Sequence, residues 1–182
     1  MLALIAVALA NANGRGGRFL SDLLALRDDR RAVGVAFFGA FLLNAVVAAM
    51  MGALFHRHIG QGPIALFVAL ALVSAAAILL WNRAPDTAAE LGDIAPAALM
   101  GRWSVAGFAS SDYFLISALA ATSGAGAWAA AGATIGWLLA LLPFLAFGPA
   151  LAAHPLARIV RYASAAILAL WGIRTAMGAF GL

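Results

Sequence analysis

Long apolar runs constrain this chain more than any other feature. Residues 32–55 contain one strongly polar side chain, Asn44, and residues 63–81 contain only Ser74. A helix of about 20 mostly apolar residues crosses the hydrocarbon core of a bilayer. Apolar residues make up 65% of the 182 positions and charged residues only 10%, whereas soluble domains have about 25% charged residues. The sequence therefore predicts an integral membrane protein whose main partner is the lipid bilayer.

Six segments are apolar enough, or nearly so, to be membrane helices. They cover residues 1–26, 32–55, 63–81, 97–122, 125–153 and 155–180. The first ten residues lack the basic start of a signal peptide, so we interpret them as the beginning of a membrane helix. The sequence predicts an all-α polytopic membrane protein of about six transmembrane helices, with a first three-helix repeat at 1–83, a cytoplasmic linker at 84–96 and a second three-helix repeat at 97–182.

The third segment of each half ends in a similar sequence. Residues 74–81 read SAAAILLW and are followed by Arg83, while residues 164–171 read SAAILALW and are followed by Arg174. Because each half contains an odd number of spans, two such repeats lie upside down relative to one another in the membrane. The pattern predicts two inverted three-helix repeats, which is typical of secondary transporters.

The arginines predict the orientation of the chain. Loops one-two, three-four and five-six hold seven arginines and the opposite side holds two, with Arg15 and Arg18 left out because their depth is uncertain. Basic residues favour the cytoplasmic side, which predicts cytoplasmic odd-numbered loops and both termini outside. This distribution explains the net charge of +4 without a nucleic-acid partner. Arginine without lysine, in an alanine-rich chain, suggests a bacterial inner membrane.

Asp112 is the most informative polar residue, since it lies near the middle of segment four. A carboxylate at that depth is costly and is expected to face a polar interior, a partner or water. One interpretation is a cation or proton site, with Asp112 as the anionic ligand of a metal ion and Ser110 and Ser111 as neutral oxygen ligands. The other is a structural ion pair with Arg15 or Arg18, and an interfacial position for Asp112 stays open.

The polar stretch 11–18 interrupts segment one with glycines, asparagines and arginines. We expect a broken helix whose Asn11 and Asn13 line a cavity, or else an interfacial segment with snorkelling arginines. The stretch lacks the Gly-Lys-Ser/Thr ending of a nucleotide-binding loop.

Asn44 either hydrogen-bonds across the helix bundle or lines a pathway. The five tryptophans lie mostly near predicted span ends, as in an aromatic belt.

Enzymatic chemistry and cofactors are not expected. The chain has no cysteine, which excludes disulfides and thiolate sites. The sequence contains no His-Glu-x-x-His and no pair of carboxylates within a predicted span. We therefore predict a protein that is not an enzyme and holds no cofactor.

The layout resembles the Gdt family of cation/proton exchangers, which includes the Golgi calcium/manganese transporters and small bacterial members. That family has six spans in two inverted halves, each with a Glu-x-Gly-Asp-Lys/Arg-Thr/Ser motif in its first helix. Residues 109–114, ASSDYF, fall where the second motif belongs, and only Asp112 matches it. Residues 11–18 occupy the place of the first motif without a carboxylate.

The resemblance implies a small secondary transporter of the Ca²⁺/Mn²⁺-proton exchanger type. The substrate stays open, because one carboxylate and the neutral asparagines would suit a monovalent, anionic or zwitterionic solute better than a divalent ion. The alternative is a non-transporting structural or assembly protein that has lost the acidic motifs. The expected partners are a small ion or polar solute and protons, and a homo-oligomer stays open.

Overall fold

The computed structural model describes residues 1–81 and 88–181, excluding the side chains of 148–150, 152 and 153. The described residues form eight α-helices and a 3₁₀ turn at Ala88–Leu91. The helices are α1 (Leu2–Ala10), α2 (Arg15–Ala25), α3 (Arg30–His58), α4 (Gln61–Leu80), α5 (Pro96–Gly107), α6 (Ser111–Ser123), α7 (Gly126–Ala153) and α8 (Pro155–Ala179).

The helices have the lengths and surfaces of membrane spans. Four of the described helices, α3, α4, α7 and α8, are long and apolar enough to cross a bilayer, and α5 with α6 makes a fifth if the bent pair is one span. Large apolar side chains cover the outside of the bundle, including Val35, Leu70 and Leu170, which are 71%, 69% and 67% exposed. An outer surface of this kind suits lipid rather than water. The chain is a helical, multi-pass membrane protein.

The expected interruption of segment one is present between α1 and α2. Helix α1 ends at Ala10 and α2 begins at Arg15. Between them Gly14 has a positive φ of 64°, in the left-handed region that glycine adopts without a steric penalty. A β-carbon at Gly14 would also collide with the ring of Phe144. The turn therefore depends on glycine for its backbone angle and for its contact with α7.

A second break, which the sequence did not predict, divides segment four. Residues 97–122 were expected to form one span, but the helix stops at Gly107 and restarts at Ser111, with an angle of 60° between α5 and α6. Ser110 has extended backbone angles, its hydroxyl donates to the Gly107 carbonyl at 2.7 Å and its oxygen accepts from the Tyr113 amide at 3.2 Å. Ser110 is therefore the N-cap that separates the two helices.

We expect Ser110→Ala to lower the free energy of unfolding by about 1 kcal/mol, the usual cost of removing a serine N-cap. Ser111→Ala is the matched control, because the Ser111 side chain makes no cap hydrogen bond to α6. The measurement is the midpoint of thermal unfolding in detergent. Equal midpoints for the two variants would show that the hydroxyl of Ser110 does not stabilise the start of α6.

Helices α3 and α7 each pack on the broken pair from the other half of the sequence. Helix α3 contacts α5 and α6, α7 contacts α1 and α2, and α4 contacts α8. Small residues permit these approaches: a β-carbon at Gly126 would lie 2.9 Å from the Ala49 carbonyl oxygen, and one at Gly172 would lie 3.0 Å from that of Ala69. Close backbone contact through small residues is the usual way that membrane helices associate.

Arginines bind the carbonyl end of α4. Arg161 donates to the carbonyls of Leu79 and Leu80, both at 2.7 Å, and Arg15 donates to that of Trp81. The last carbonyls of a helix carry partial negative charge and have no partner within the helix, so cations there are stabilising.

Arg27 fixes the described part of the linker. Its guanidinium donates to the carbonyls of Leu91, Gly92 and Ile94 at 3.2, 2.9 and 2.6 Å, and it forms a salt bridge with Asp29 at 2.6 Å. The side-chain hydrogen bond from Arg27 holds the pKa of Asp29 below its ordinary value. The contribution of this pair is therefore present above the ordinary pKa of an aspartate and is lost as the pH falls through the lowered value. Part of the expected linker at 84–96 lies outside the described residues, and so does Arg83.

We expect Arg27→Ala to speed amide hydrogen exchange across residues 88–94, because three carbonyls of this segment lose their donor. Arg31→Ala is the control, since Arg31 is exposed at the start of α3. Exchange measured by mass spectrometry at neutral pH distinguishes the two variants. Unchanged exchange in Arg27→Ala would mean that the turn is held by its own packing, chiefly by the buried Leu91.

Candidate functional site

A cavity of about 180 Å³ lies beside the break between α5 and α6. Asn44 from α3 lines the cavity at the midpoint of that 29-residue helix, so the cavity lies near the middle of a span. Its polar lining comes from Asn44, Ser110 and Asp112, and the remaining wall is apolar or aromatic. The cavity is thus a confined space at mid-span that contains a carboxylate.

Asp112 joins the two broken helices. It lies in the first turn of α6, where the positive end of the helix dipole favours a carboxylate. Its Oδ1 accepts a hydrogen bond of 2.9 Å from Nδ2 of Asn11, the residue that ends α1. Nδ2 of Asn11 also donates to the Val7 carbonyl at 3.0 Å, which fixes the direction of the amide. The breaks of the two sequence halves therefore meet at the Asn11–Asp112 contact.

Asn44 lines the cavity and carries a buried acceptor without a partner among the described residues. The side chain is only 7% exposed, and its Nδ2 donates to the Ala40 carbonyl at 3.0 Å. Its Oδ1 is buried and has no hydrogen-bond partner among the described residues. The side chain fits because it packs on Gly107, where a β-carbon would lie 2.7 Å from Asn44 Cγ. A buried acceptor without a donor costs free energy.

Aromatic rings form much of the cavity wall. The lining includes the rings of Phe37, Phe41, Trp103, Tyr113 and Trp137. Phe37 contacts Trp103 edge to face at 5.0 Å between centroids, and Phe41 stacks on Trp137 at 4.1 Å. Phe37 also lies 5.5 Å from Trp137, so these four rings form a connected set. The wall is rich in π electrons.

A second, larger cavity also adjoins the α5–α6 break. It has a volume of about 620 Å³ and is lined by Arg15, Ile78, Trp81, Ala109, Ser110 and Ser111. Ser110 lines both cavities. The cavity lined by Asp112 and the cavity lined by Arg15 therefore adjoin at Ser110.

The residues predicted to bind a substrate lie in three places. Ser110, Asp112 and Asn44 line the smaller cavity, and Asn11 contacts Asp112. Ser111 lines the larger cavity instead. Asn13 has a local role, because its Oδ1 accepts from the Arg15 amide at 3.0 Å within the α1–α2 turn.

The two arginines considered as ion-pair partners of Asp112 donate to backbone carbonyls. Arg15 donates to Trp81, and Arg18 donates to the Asn13 carbonyl at 3.5 Å. Arg18 Nε is buried without a hydrogen-bond partner among the described residues. At Asp112 the hydrogen-bond partner that the structure shows is the neutral amide of Asn11.

Sequence reasoning missed the aromatic wall. Trp103 and Trp137 were assigned to an interfacial belt, whereas both line the cavity. The available signal was the spacing of Phe37, Phe41 and Asn44 at i, i+4 and i+7, which places them on one face of α3. That spacing also occurs in ordinary buried helices, so it predicts a shared face and not a cavity.

Clustered metal ligands do not occur in the described part of the chain: no three histidine, aspartate or glutamate side chains come together there. None of the protein-family models, curated proteins or solved structures with which the chain was compared matches it.

Proposed function

We propose that this protein is a small secondary transporter of the bacterial inner membrane that exchanges a cation for protons. The observation that supports it best is the Asn11–Asp112 contact, which brings two helix breaks and a carboxylate to a mid-span cavity. Discontinuous helices that meet near the bilayer midplane are a recurring feature of secondary transporters, where their ends bind substrate and coupling ions. Backbone that is not helical at this depth is tolerated where it lines a cavity.

The proposal includes six spans in two inverted repeats. The pair α1–α2 is then a broken span, the first in the chain, and brings the total to six. It corresponds to α5–α6, while α3 corresponds to α7 and α4 to α8. The packing supports this correspondence, because α3 contacts α5 and α6 while α7 contacts α1 and α2. The ends bearing Arg27, Arg102 and Arg158 would then face the cytoplasm, in keeping with the excess of arginine there, and both chain termini would lie outside.

Asp112 is the proposed coupling residue. A carboxylate near the middle of a membrane is most readily accommodated when it is protonated or paired with a cation. A carboxylate of this kind holds either a proton or a cation, so binding of the cation releases the proton. Because the cavity beside Asp112 and the cavity beside Arg15 share Ser110, a shift at the α5–α6 break would change which space the carboxylate faces.

The proposal extends to the family that the layout resembles. We place the chain as a divergent relative of the Gdt exchangers, with Asp112 as the remaining carboxylate of the second motif. The relationship suggests calcium or manganese, but the single carboxylate of this chain leaves the substrate unassigned. The non-transporting structural role is the alternative, in which the Asn11–Asp112 hydrogen bond serves only to hold the two halves together.

Flux in proteoliposomes tests this function. Purified protein is reconstituted with a pH-sensitive dye inside, the membrane potential is clamped, and Mn²⁺, Ca²⁺, Na⁺ and organic cations are added outside one at a time. We expect at least one cation to drive proton efflux above that of protein-free liposomes. Absence of cation-driven proton movement for every cation, with protein that is monodisperse in detergent, would reject transport in favour of the structural role.

A further inference from the structure

We infer that the cavity beside Asp112 binds a small organic ammonium ion with a single positive charge. This rests on the proposed function, whose substrate class it specifies. Charge is the first reason. Divalent ions such as Ca²⁺ take six to eight oxygen ligands, several of them carboxylates, whereas this cavity offers the carboxylate of Asp112, the hydroxyl of Ser110 and the amide of Asn44. One carboxylate balances one positive charge.

The aromatic wall is the second reason. Aromatic and aliphatic surfaces contribute little binding free energy to a hydrated metal ion. An organic cation is stabilised both by burial of its carbon atoms and by the negative faces of the rings. Tryptophan is the strongest of the aromatic side chains in this interaction, and both Trp103 and Trp137 line the cavity. Two tryptophans and a carboxylate around one space are suited to an ammonium group.

Size is the third reason. An ammonium N–H that donates to Asp112 would pair the charge of the carboxylate. The volume of about 180 Å³ sets the size. A water molecule in the liquid takes about 30 Å³, so the cavity holds an ion of a few carbon and nitrogen atoms.

Calorimetric titration of the purified protein in detergent tests this inference. The probe is n-propylammonium chloride, with propanol as its neutral analogue and NaCl as the control for ionic strength. Trp103→Phe keeps a ring in the wall and Trp103→Leu removes it. Trp128→Leu is the matched control, because Trp128 is 79% exposed on α7 and does not line the cavity. All variants are first shown to be monodisperse and helical.

We expect saturable binding of n-propylammonium to the wild type and none of propanol at the same concentration. Trp103→Leu should bind about tenfold more weakly, the size of one lost cation–π contact. The affinity of Trp103→Phe for n-propylammonium should lie between those of the wild type and Trp103→Leu. The affinity of Trp128→Leu should equal that of the wild type. Absence of n-propylammonium binding, equal binding of propanol, or an equal loss in Trp128→Leu would each overturn the inference.

The flux assay separates this inference from the proposed function. If Mn²⁺ or Na⁺ drives proton movement and n-propylammonium neither binds nor competes, the exchanger stands and the ammonium site is wrong. If n-propylammonium binds with the expected dependence on Trp103 but no cation moves protons, the ammonium site stands and transport is wrong.

Discussion

We expect Asp112→Asn to reduce cation-driven proton movement to the level of protein-free liposomes while the protein still folds. Asparagine keeps the shape of the side chain, and its Oδ1 can accept the hydrogen bond that Asn11 Nδ2 donates at 2.9 Å. The substitution therefore removes the charge and the titrating proton but preserves the contact between the two broken helices. Because the proposed exchange depends on one carboxylate that binds either a cation or a proton, no residual coupling should remain.

The matched control is Asp28→Asn, the same change at an exposed residue between α2 and α3. It should transport like the wild type. Reconstitution efficiency and thermal midpoints are compared for all three proteins, so that a folding defect is not mistaken for lost coupling. Full proton movement in Asp112→Asn would show that this carboxylate does not couple the fluxes, and an equal loss in both variants would point to the assay rather than to the site.

The largest expected effect on stability is that of Gly52→Ala. Gly52 faces α6 so closely that an added β-carbon would collide with the Ser117 carbonyl oxygen, and it would lie 2.6 Å from the Ala120 β-carbon and 3.0 Å from the Ala121 amide. Two of these contacts are backbone atoms of a buried helix, which cannot move aside independently. We expect a loss of about 1–3 kcal/mol in the free energy of unfolding, the usual cost of overpacking a well-packed interior.

Gly34→Ala, on the same helix, is the control, because a β-carbon there would have nothing within 4 Å. Alanine is a better helix former than glycine, by about 1 kcal/mol in a helix interior, so this variant should be neutral or slightly more stable. Unfolding in a graded mixture of denaturing and mild detergent measures both. Equal stability for the two variants would mean that α3 and α6 are farther apart in the membrane than in the structure.

Local sequence patterns predicted the elements well where one property dominates. Apolar runs predicted α3, α4, α7 and α8, because the cost of burying polar groups in lipid leaves few alternatives. The glycines of 11–18 predicted the break after α1. The break at Ser110 was missed because α5 and α6 together read as one apolar segment. The serine followed by an acidic residue in the first turn of α6 was a usable N-cap signal.

The candidate site was only partly accessible to sequence reasoning. Asp112 and Asn44 are identifiable as buried polar residues in apolar segments, since polar groups at that depth need a partner. Their shared cavity depends on how α3, α5 and α6 cross, and the Asn11–Asp112 hydrogen bond joins residues 101 positions apart. Neither feature follows from local spacing. The aromatic wall was missed for the same reason, because Trp103 and Trp137 come together only through the packing of their helices around one cavity.

The sequence by itself determined that this chain is a helical membrane protein, because hydropathy and backbone hydrogen bonding in lipid act on each segment separately. It also predicted a carboxylate, Asp112, near the middle of an apolar segment. Only the tertiary structure decided which polar groups meet, since those contacts depend on close helix crossings through small residues such as Gly52, Gly107 and Gly126. Such crossings have no local signature, and they place Asp112, Asn44 and the aromatic wall around one cavity.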